Sequence, residues 1–223
     1  MRPRPARALL ATGLGMLALV TAGTAAAATP TPVPRTPTFV RPAEQTVPYE
    51  PQTTCVPEAQ PGTARFRALV LATYPNTRDM GIVRPCSAGG TSEHKDGRAW
   101  DWGVQVTNPA EARQATALIG QWLLGDRAEM ARRLGIMYIV FNDRILATYR
   151  FSEGWRPYLS SACRTIPLTS CSPTLRHRNH AHFSFSRAGG AARTTFWTGR
   201  AAGEAPLAPL SAATLRAPVA AAD

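Results

Sequence analysis

The chain has 223 residues and a formal net charge of +11, with 25 lysines and arginines against 14 aspartates and glutamates. Hydrophobic residues make up 44% of it, which is enough for a buried core and excludes a wholly disordered chain. The 20 prolines and 17 glycines indicate that part of the length is not packed. We therefore expect one domain of ordinary size with extended segments beside it.

Residues 1–28 have the order of a secretory signal peptide. Three arginines precede an apolar stretch at 8–20, and small residues lead to a cleavage site after Ala28. The apolar stretch is shorter than the roughly 20 residues of a membrane span, so an uncleaved anchor is the weaker alternative. We expect a secreted protein without a membrane span in its mature form.

Composition divides the rest of the chain into three parts. Residues 29–54 are rich in proline and threonine, which favours an extended linker. Residues 55–199 have the hydrophobic patterning of a folded domain, and residues 200–223 are an Ala/Pro-rich tail that we expect to be disordered. The chemistry is therefore expected in 55–199.

The first half of this domain predicts one helix and two strands. Thr63 is a suitable N-cap for a helix over 64–74, which Pro75 would end. A short strand is predicted at 81–83 and a longer one at 99–106.

The second half predicts two helices, a hairpin and a last strand. Asn108 caps a helix that Gly125 ends, and a third helix runs from Asp126 to Gly135. A hairpin is predicted from strands at 137–141 and 145–149, and a last strand at 180–186. Helices and strands do not alternate regularly, which predicts an α+β fold: a small mixed or antiparallel sheet with flanking helices.

The four cysteines predict two disulfides, because an exported protein with an even cysteine count usually pairs them. Cys163 and Cys171 bracket one short loop and are expected to pair. Cys55 with Cys86 then follows by elimination. No C-x-x-C pair is present, so a cysteine zinc site is not expected.

The four histidines fall into two places in the chain. His94 stands alone, in the run S-E-H-K-D-G-R-A-W-D at 92–101. The other three lie at 177–182, and two of them belong to the run N-H-A-H-F-S-F at 179–185.

These two runs predict a metal site. Residues two apart on a strand share a face, so Asp101 lies opposite an aromatic face, and His180 and His182 point the same way. His94, Asp101 and His182 together predict a centre of two histidines and one carboxylate that binds one Zn²⁺ per domain. Three protein ligands leave a fourth coordination position, as in catalytic zinc sites.

The spacing S-x-H-x-x-G-x-A-x-D followed by H-x-H resembles the pattern of the D-Ala-D-Ala metallopeptidase, lysostaphin and hedgehog group of zinc proteins. Every fixed position of the first motif is present: Ser92, His94, Gly97, Ala99 and Asp101. The domain also resembles a family of exported actinobacterial proteins over 92–102, 130–138 and 180–186. The resemblance implies a hedgehog/DD-peptidase-like fold, zinc binding by the same three ligands, and cleavage of peptide bonds in cell-wall peptides.

The residue expected to move protons differs from that of many D-Ala-D-Ala peptidases. Those proteins have a glutamate three residues before the last ligand, where this chain has Asn179, which cannot take a proton. The H-x-H branch has a histidine two residues before the ligand, and His180 fits it. An imidazole accepts and returns protons near neutral pH, so we expect His180 to be the general base. His177 receives no role.

Two more residues are expected to assist catalysis. Ser92 would hold Asp101 or another zinc ligand by a hydrogen bond. Arg84, at the end of the strand before the motif, would stabilise an oxyanion or bind a substrate carboxylate. The alternative for Arg84 is an ordinary surface arginine.

The sequence therefore predicts an exported zinc metallopeptidase of the DD-carboxypeptidase or endopeptidase type. Its expected partners are peptidoglycan or its stem peptides, and, because the chain is basic, anionic wall polymers. No nucleic-acid motif is present, so no nucleic-acid partner is expected. A non-catalytic, zinc-stabilised module that binds cell-wall material is the alternative from another class, and a small-molecule hydrolase with the same centre is a third.

Overall fold

A computed structural model of the chain describes residues 29–200. The predicted signal peptide and all of the predicted tail except Arg200 lie outside these residues. Within them the fold is α+β, as predicted, with one six-stranded sheet and helices.

The sheet is antiparallel throughout, and its order is β1-β2-β6-β3-β4-β5. The strands are β1 Arg78–Asp79, β2 Ala99–Gly103, β3 Ile136–Phe141, β4 Arg144–Ala147, β5 Arg156–Pro157 and β6 Ala181–Phe185. The last strand of the chain thus lies in the middle of the sheet, between β2 and β3. Asp101 of β2 is directly opposite His182 of β6, so the pairing of these two strands brings the two predicted motifs together.

The helices lie mainly before β3 and after β6. They are α1 Pro61–Thr73, α2 Pro109–Ala115, α3 Gly125–Leu134, α4 Arg187–Gly190 and α5 Thr195–Thr198. A π-helical stretch, Thr116–Leu123, continues α2, so the predicted second helix has its expected length. Asn108 caps it as predicted, since its side-chain oxygen accepts hydrogen bonds from the backbone N–H groups of Ala110 and Glu111.

Several predicted boundaries were wrong, and backbone geometry explains three of them. The first helix begins at Pro61 and not after Thr63, because proline has no N–H to lose and its fixed φ suits the first helical turn. The predicted strand at 81–83 is not formed, and the strand is β1 at 78–79. Gly81 has a φ of 102°, which is not extended, although its carbonyl still accepts from the Asp101 N–H at 3.1 Å. In α3 the residues from Asp126 to Ala128 have positive φ, so regular right-handed geometry begins only after them.

The β3–β4 hairpin forms as predicted. Both turn residues have positive φ, 49° for Asn142 and 62° for Asp143, as a two-residue turn of type I′ requires. The second strand is shorter than predicted, because the chain enters a 3-10 helix, Thr148–Glu153, directly after Ala147.

An aromatic core covers one face of β2 and β6. Trp100 of β2 stacks on Phe183 of β6 with ring centroids 5.9 Å apart, and Phe66 of α1 meets Phe183 and Phe185 edge-on at 5.2 and 5.4 Å. Trp100 and Trp102 are fully buried, as predicted. Because side chains alternate along a strand, this core leaves the other face of both strands to polar residues.

The Pro/Thr-rich segment packs on the domain. Its residues form no helix, but they are hydrogen-bonded: Tyr74 donates to the Pro32 carbonyl at 2.7 Å, and the Trp122 indole donates to Thr36 at 2.8 Å. Val47 is only 2% exposed. Proline-rich chain lacks the N–H groups for a helix, yet its carbonyls and apolar side chains still find partners on a surface.

Both predicted disulfides are present, Cys55–Cys86 and Cys163–Cys171, with Cα atoms 5.9 and 5.5 Å apart. Disulfides are typical of proteins in oxidising compartments, so the pairing agrees with export. Among the described residues, no helix is both long and apolar enough to cross a bilayer.

Candidate metal centre

Three elements hold the predicted ligands. His94 lies on a 3-10 turn, Glu93–Asp96, that immediately precedes β2, while Asp101 and His182 lie at paired positions of β2 and β6. Gly97 connects the turn to the strand with a φ of 69°, and a Cβ there would collide with the backbone carbonyl of Glu58. The motif glycine is therefore required for His94 to face the sheet.

The ligand atoms form a small triangle. His94 Nε2 lies 3.2 Å from His182 Nδ1 and 3.2 Å from Asp101 Oδ1, and His182 Nδ1 lies 2.8 Å from the same oxygen. A tetrahedral zinc ion with bonds of about 2.0–2.2 Å separates its ligand atoms by about 3.3 Å. The described residues thus contain one His-Asp-His group that can hold a metal ion.

The outer nitrogens of both ligand rings are hydrogen-bonded, which leaves the inner ones available. His94 Nδ1 donates to the Ile82 carbonyl at 2.7 Å, so its Nε2 carries the lone pair. His182 Nε2 lies 2.8 Å from Ser184 Oγ. Rings held in this way present their inner nitrogens to a shared point between them.

Electrostatics keeps the centre in the state that binds metal. Burial alone would raise the pKa of Asp101, but the neighbouring His94 and His182 hold it well below its usual range. Burial lowers the pKa of His182, against the attraction of Asp101. The carboxylate is ionised and the imidazole neutral at neutral pH, which is what metal binding requires.

His180 lies beside the triangle of ligand atoms. Its Nε2 is 3.7 Å from Asp101 Oδ1, and its Nδ1 donates to the side-chain oxygen of Asn179 at 2.8 Å. Asn179 is itself oriented by a bond from its Nδ2 to Thr174 at 2.9 Å. The residue that replaces the expected glutamate therefore sets the tautomer of His180 and leaves Nε2 free. Burial lowers the pKa of His180 to about 4, so the ring is neutral at pH 7.

The chain is similar to the VldE C-terminal domain over residues 55–165. That stretch, just under half of the chain, includes His94 and Asp101 and ends before β6. No curated protein and no solved structure matches the chain.

Ser92 and Arg84 each form a hydrogen bond with a predicted ligand. Ser92 Oγ accepts from the backbone N–H of His94 at 3.4 Å and caps the 3-10 turn, so it supports a ligand through the main chain and not through a ring or carboxylate. Arg84 donates to Asp101 Oδ2 at 3.0 Å. This bond engages the second carboxylate oxygen and leaves Oδ1 for a metal, while the Arg84 side chain stays 41% exposed.

His177 also belongs to this site, although the sequence analysis gave it no role. Its ring centroid lies 4.6 Å from that of His180 and 5.0 Å from that of Tyr158. Its Nδ1 is buried without a hydrogen-bond partner among the described residues, and burial lowers its pKa to about 2. The sequence offered one indication of this, since His177 precedes the last ligand by only five residues. The chain between them forms no regular helix or strand over its whole length, so the direction of the His177 side chain could not be predicted.

Proposed function

We propose that this protein is an exported, zinc-dependent peptidase that hydrolyses amide bonds in bacterial cell-wall peptides. The observation that carries the proposal is a set of three converging ligand atoms with a free histidine nitrogen beside them. The Nε2 atom of His180 lies 3.7 Å from the ligand oxygen of Asp101 and has no proton to donate. A centre that only stabilises a fold needs no such neighbour.

The residues present fit zinc, because two imidazole nitrogens and one carboxylate oxygen make three of the four ligands of a catalytic site. When bound, zinc supplies Lewis acidity, which polarises a carbonyl group and lowers the pKa of water. His180 Nε2 accepts a proton from the attacking water and returns it to the leaving nitrogen. Asn179 keeps Nε2 in its accepting form by holding the proton on Nδ1.

The substrate class rests on the two motifs and on charge. The motifs resemble those of the D-Ala-D-Ala metallopeptidase and lysostaphin group, and both disulfides agree with the predicted export. Without residues 1–28 and their three arginines the net charge is +8, from 22 lysines and arginines against 14 aspartates and glutamates. This charge favours an anionic partner, such as the carboxylates of peptidoglycan stem peptides or an anionic wall polymer.

Burial of the ligands favours one competing function, a non-catalytic, zinc-stabilised module that binds cell-wall material. The side chains of His94, Asp101 and His182 are only 0%, 5% and 10% exposed. Structural zinc sites are closed, whereas a catalytic site must admit a substrate carbonyl. The two functions differ in one respect that can be measured, the requirement for His180.

The test is mass spectrometry of muropeptides after purified peptidoglycan is incubated with the zinc-loaded protein. We expect a new fragment with the unaltered protein and at least a ~10²-fold slower release with His180→Gln, because a positioned base contributes about 10²–10⁴-fold. Glutamine removes the base without touching a ligand, so zinc content measured by plasma mass spectrometry should stay at one per chain.

His182→Ala is the matched control, since it removes a ligand two residues along the chain and should lose the zinc itself. Full hydrolysis by His180→Gln would contradict the role of His180. Zinc-loaded protein that releases no fragment from several peptidoglycan types would contradict the peptidase and favour the binding module.

A further inference from the structure

A buried carboxylate, that of Glu93, is linked by hydrogen bonds to the residues around the ligand His182. Glu93 is 4% exposed and directly precedes the ligand His94. Its Oε2 accepts a hydrogen bond from the Tyr138 hydroxyl at 2.6 Å and one from Ser184 Oγ at 3.4 Å. Burying a carboxylate is costly unless it is hydrogen-bonded, so these two donors matter to the site.

The same serine contacts a ligand. Ser184 Oγ lies 2.8 Å from His182 Nε2, and strand alternation puts both side chains on one face of β6. Tyr138 of β3 is directly opposite Ser184 in the sheet, and its ring stacks on the His182 ring with centroids 5.7 Å apart. His182, Ser184 and Glu93 thus form one continuous chain of hydrogen bonds.

The proton positions in this chain follow from its far end. Ser184 has one hydroxyl proton, which it donates to Glu93 Oε2, the atom that also accepts from the Tyr138 hydroxyl. Ser184 Oγ can then accept only from His182, so in the form that binds a metal Nε2 would carry the imidazole proton and Nδ1 the lone pair.

We propose that Glu93, Ser184 and Tyr138 are positioning residues that set the tautomer and orientation of His182 for metal binding. Glu93 accepts the hydrogen bond of Ser184, and the polarised Ser184 oxygen accepts that of His182 Nε2. Both bonds increase the electron density on Nδ1, so Nδ1 becomes a stronger metal ligand. The inference rests on the metal binding in the proposed function and not on peptide hydrolysis.

The first test measures the Zn²⁺ dissociation constant by chelator competition, together with the visible spectrum of the Co²⁺-substituted protein. Ser184→Ala should weaken Zn²⁺ binding about 10–100-fold and alter the Co²⁺ bands, because loss of such a partner typically has this effect on affinity. Ser186→Ala is the matched control: Ser186 is a buried hydroxyl two residues along, bonded to the backbone N–H of Gly189. It should leave both measurements unchanged.

A second test asks whether the three residues act as one chain. Glu93→Gln and Tyr138→Phe keep the side-chain shapes and should each weaken Zn²⁺ binding by less than Ser184→Ala. The double variant Ser184→Ala with Glu93→Gln should bind no worse than Ser184→Ala alone, since Glu93 acts through Ser184. If the two substitutions reduced the Zn²⁺ affinity additively, the proposal that Glu93 acts through Ser184 would be overturned.

The outcomes separate the two proposals. If the unaltered protein does not bind Zn²⁺, both the proposed function and this inference fail. If it binds Zn²⁺, and Ser184→Ala binds Zn²⁺ equally well with an unchanged Co²⁺ spectrum, only the proposed positioning of His182 by these residues fails. Circular dichroism of each variant shows that the fold is retained.

Discussion

Neutral histidines crowd the site when no metal is bound. Burial lowers the pKa of His180 to about 4 and that of His177 to about 2. A histidine in an unfolded chain has a pKa near 6.5. Between pH 6.5 and 4 the unfolded state therefore binds protons that the folded state excludes, and the free energy of unfolding falls as the pH falls.

We expect the EDTA-treated protein to lose stability steadily as the pH falls from about 6.5 to about 4, with little change above pH 7.5. Urea unfolding at a series of pH values measures this. His177→Gln removes one of the buried imidazoles and should flatten the profile. Equal free energies of unfolding at pH 7.5 and pH 5 would contradict the shifted pKa values.

The sequence could predict the ligands but not their supports. His94, Asp101 and His182 belong to spaced motifs, and the strand period alone gives their faces. The support of Asp101 by Arg84 joins residues 17 positions apart, and that of Glu93 by Tyr138 joins residues 45 apart. Such pairs depend on strand order and register, which a single sequence does not reveal. Asn179 could be recognised as a missing base, whereas its bond to His180 needed coordinates.

Turns and helix ends were predicted well, because they depend on the residues that stand at those positions. The Asn142-Asp143 turn and the Gly135 C-cap need only positive φ, and residues suited to it stand there. The first strand was misplaced because its position is decided by its partner: Met80 N–H still bonds to the Asp101 carbonyl beyond the end of β1. Tertiary pairing overrode the local preference at 81–83.

The start of α2 provides a test at this scale. Asn108 Oδ1 accepts from the N–H of Ala110 at 3.0 Å and from that of Glu111 at 3.4 Å. Asn108→Ala should lower the free energy of unfolding by about 1 kcal/mol, because two terminal N–H groups lose their acceptor. Urea unfolding measures the difference.

Thr116→Ala is the control for this prediction. Its hydroxyl also bonds to a backbone group, the Ala112 carbonyl, but within the helix and at an exposed position. We expect a change within about 0.5 kcal/mol. Equal changes in the free energy of unfolding for the two substitutions would contradict a specific stabilisation by the N-cap.

Over the whole molecule, the proline-rich segment is part of the folded structure. Glu44 accepts hydrogen bonds from the backbone N–H and the hydroxyl of Thr195 at 2.7 and 2.6 Å, and the Val40 N–H bonds to the Gly199 carbonyl at 2.9 Å. The beginning and end of the described chain are therefore tied together. Composition alone could not predict this packing. A proline-rich composition indicates that the segment forms no helix by itself, but it does not indicate which surface the segment packs against.

Substitution of two valines in this segment tests how much its packing contributes to the free energy of unfolding. Val47 is 2% exposed and Val40 is 70% exposed. Val47→Ala should lower the free energy of unfolding by about 1.5–3 kcal/mol, as removal of a buried aliphatic side chain does, whereas Val40→Ala should change it by less than about 0.5 kcal/mol. Both are measured by urea unfolding of the full chain. Equal and negligible effects would mean that the segment is the independent linker its composition predicts, while a loss confined to Val47→Ala would make it part of the domain that supports the metal centre.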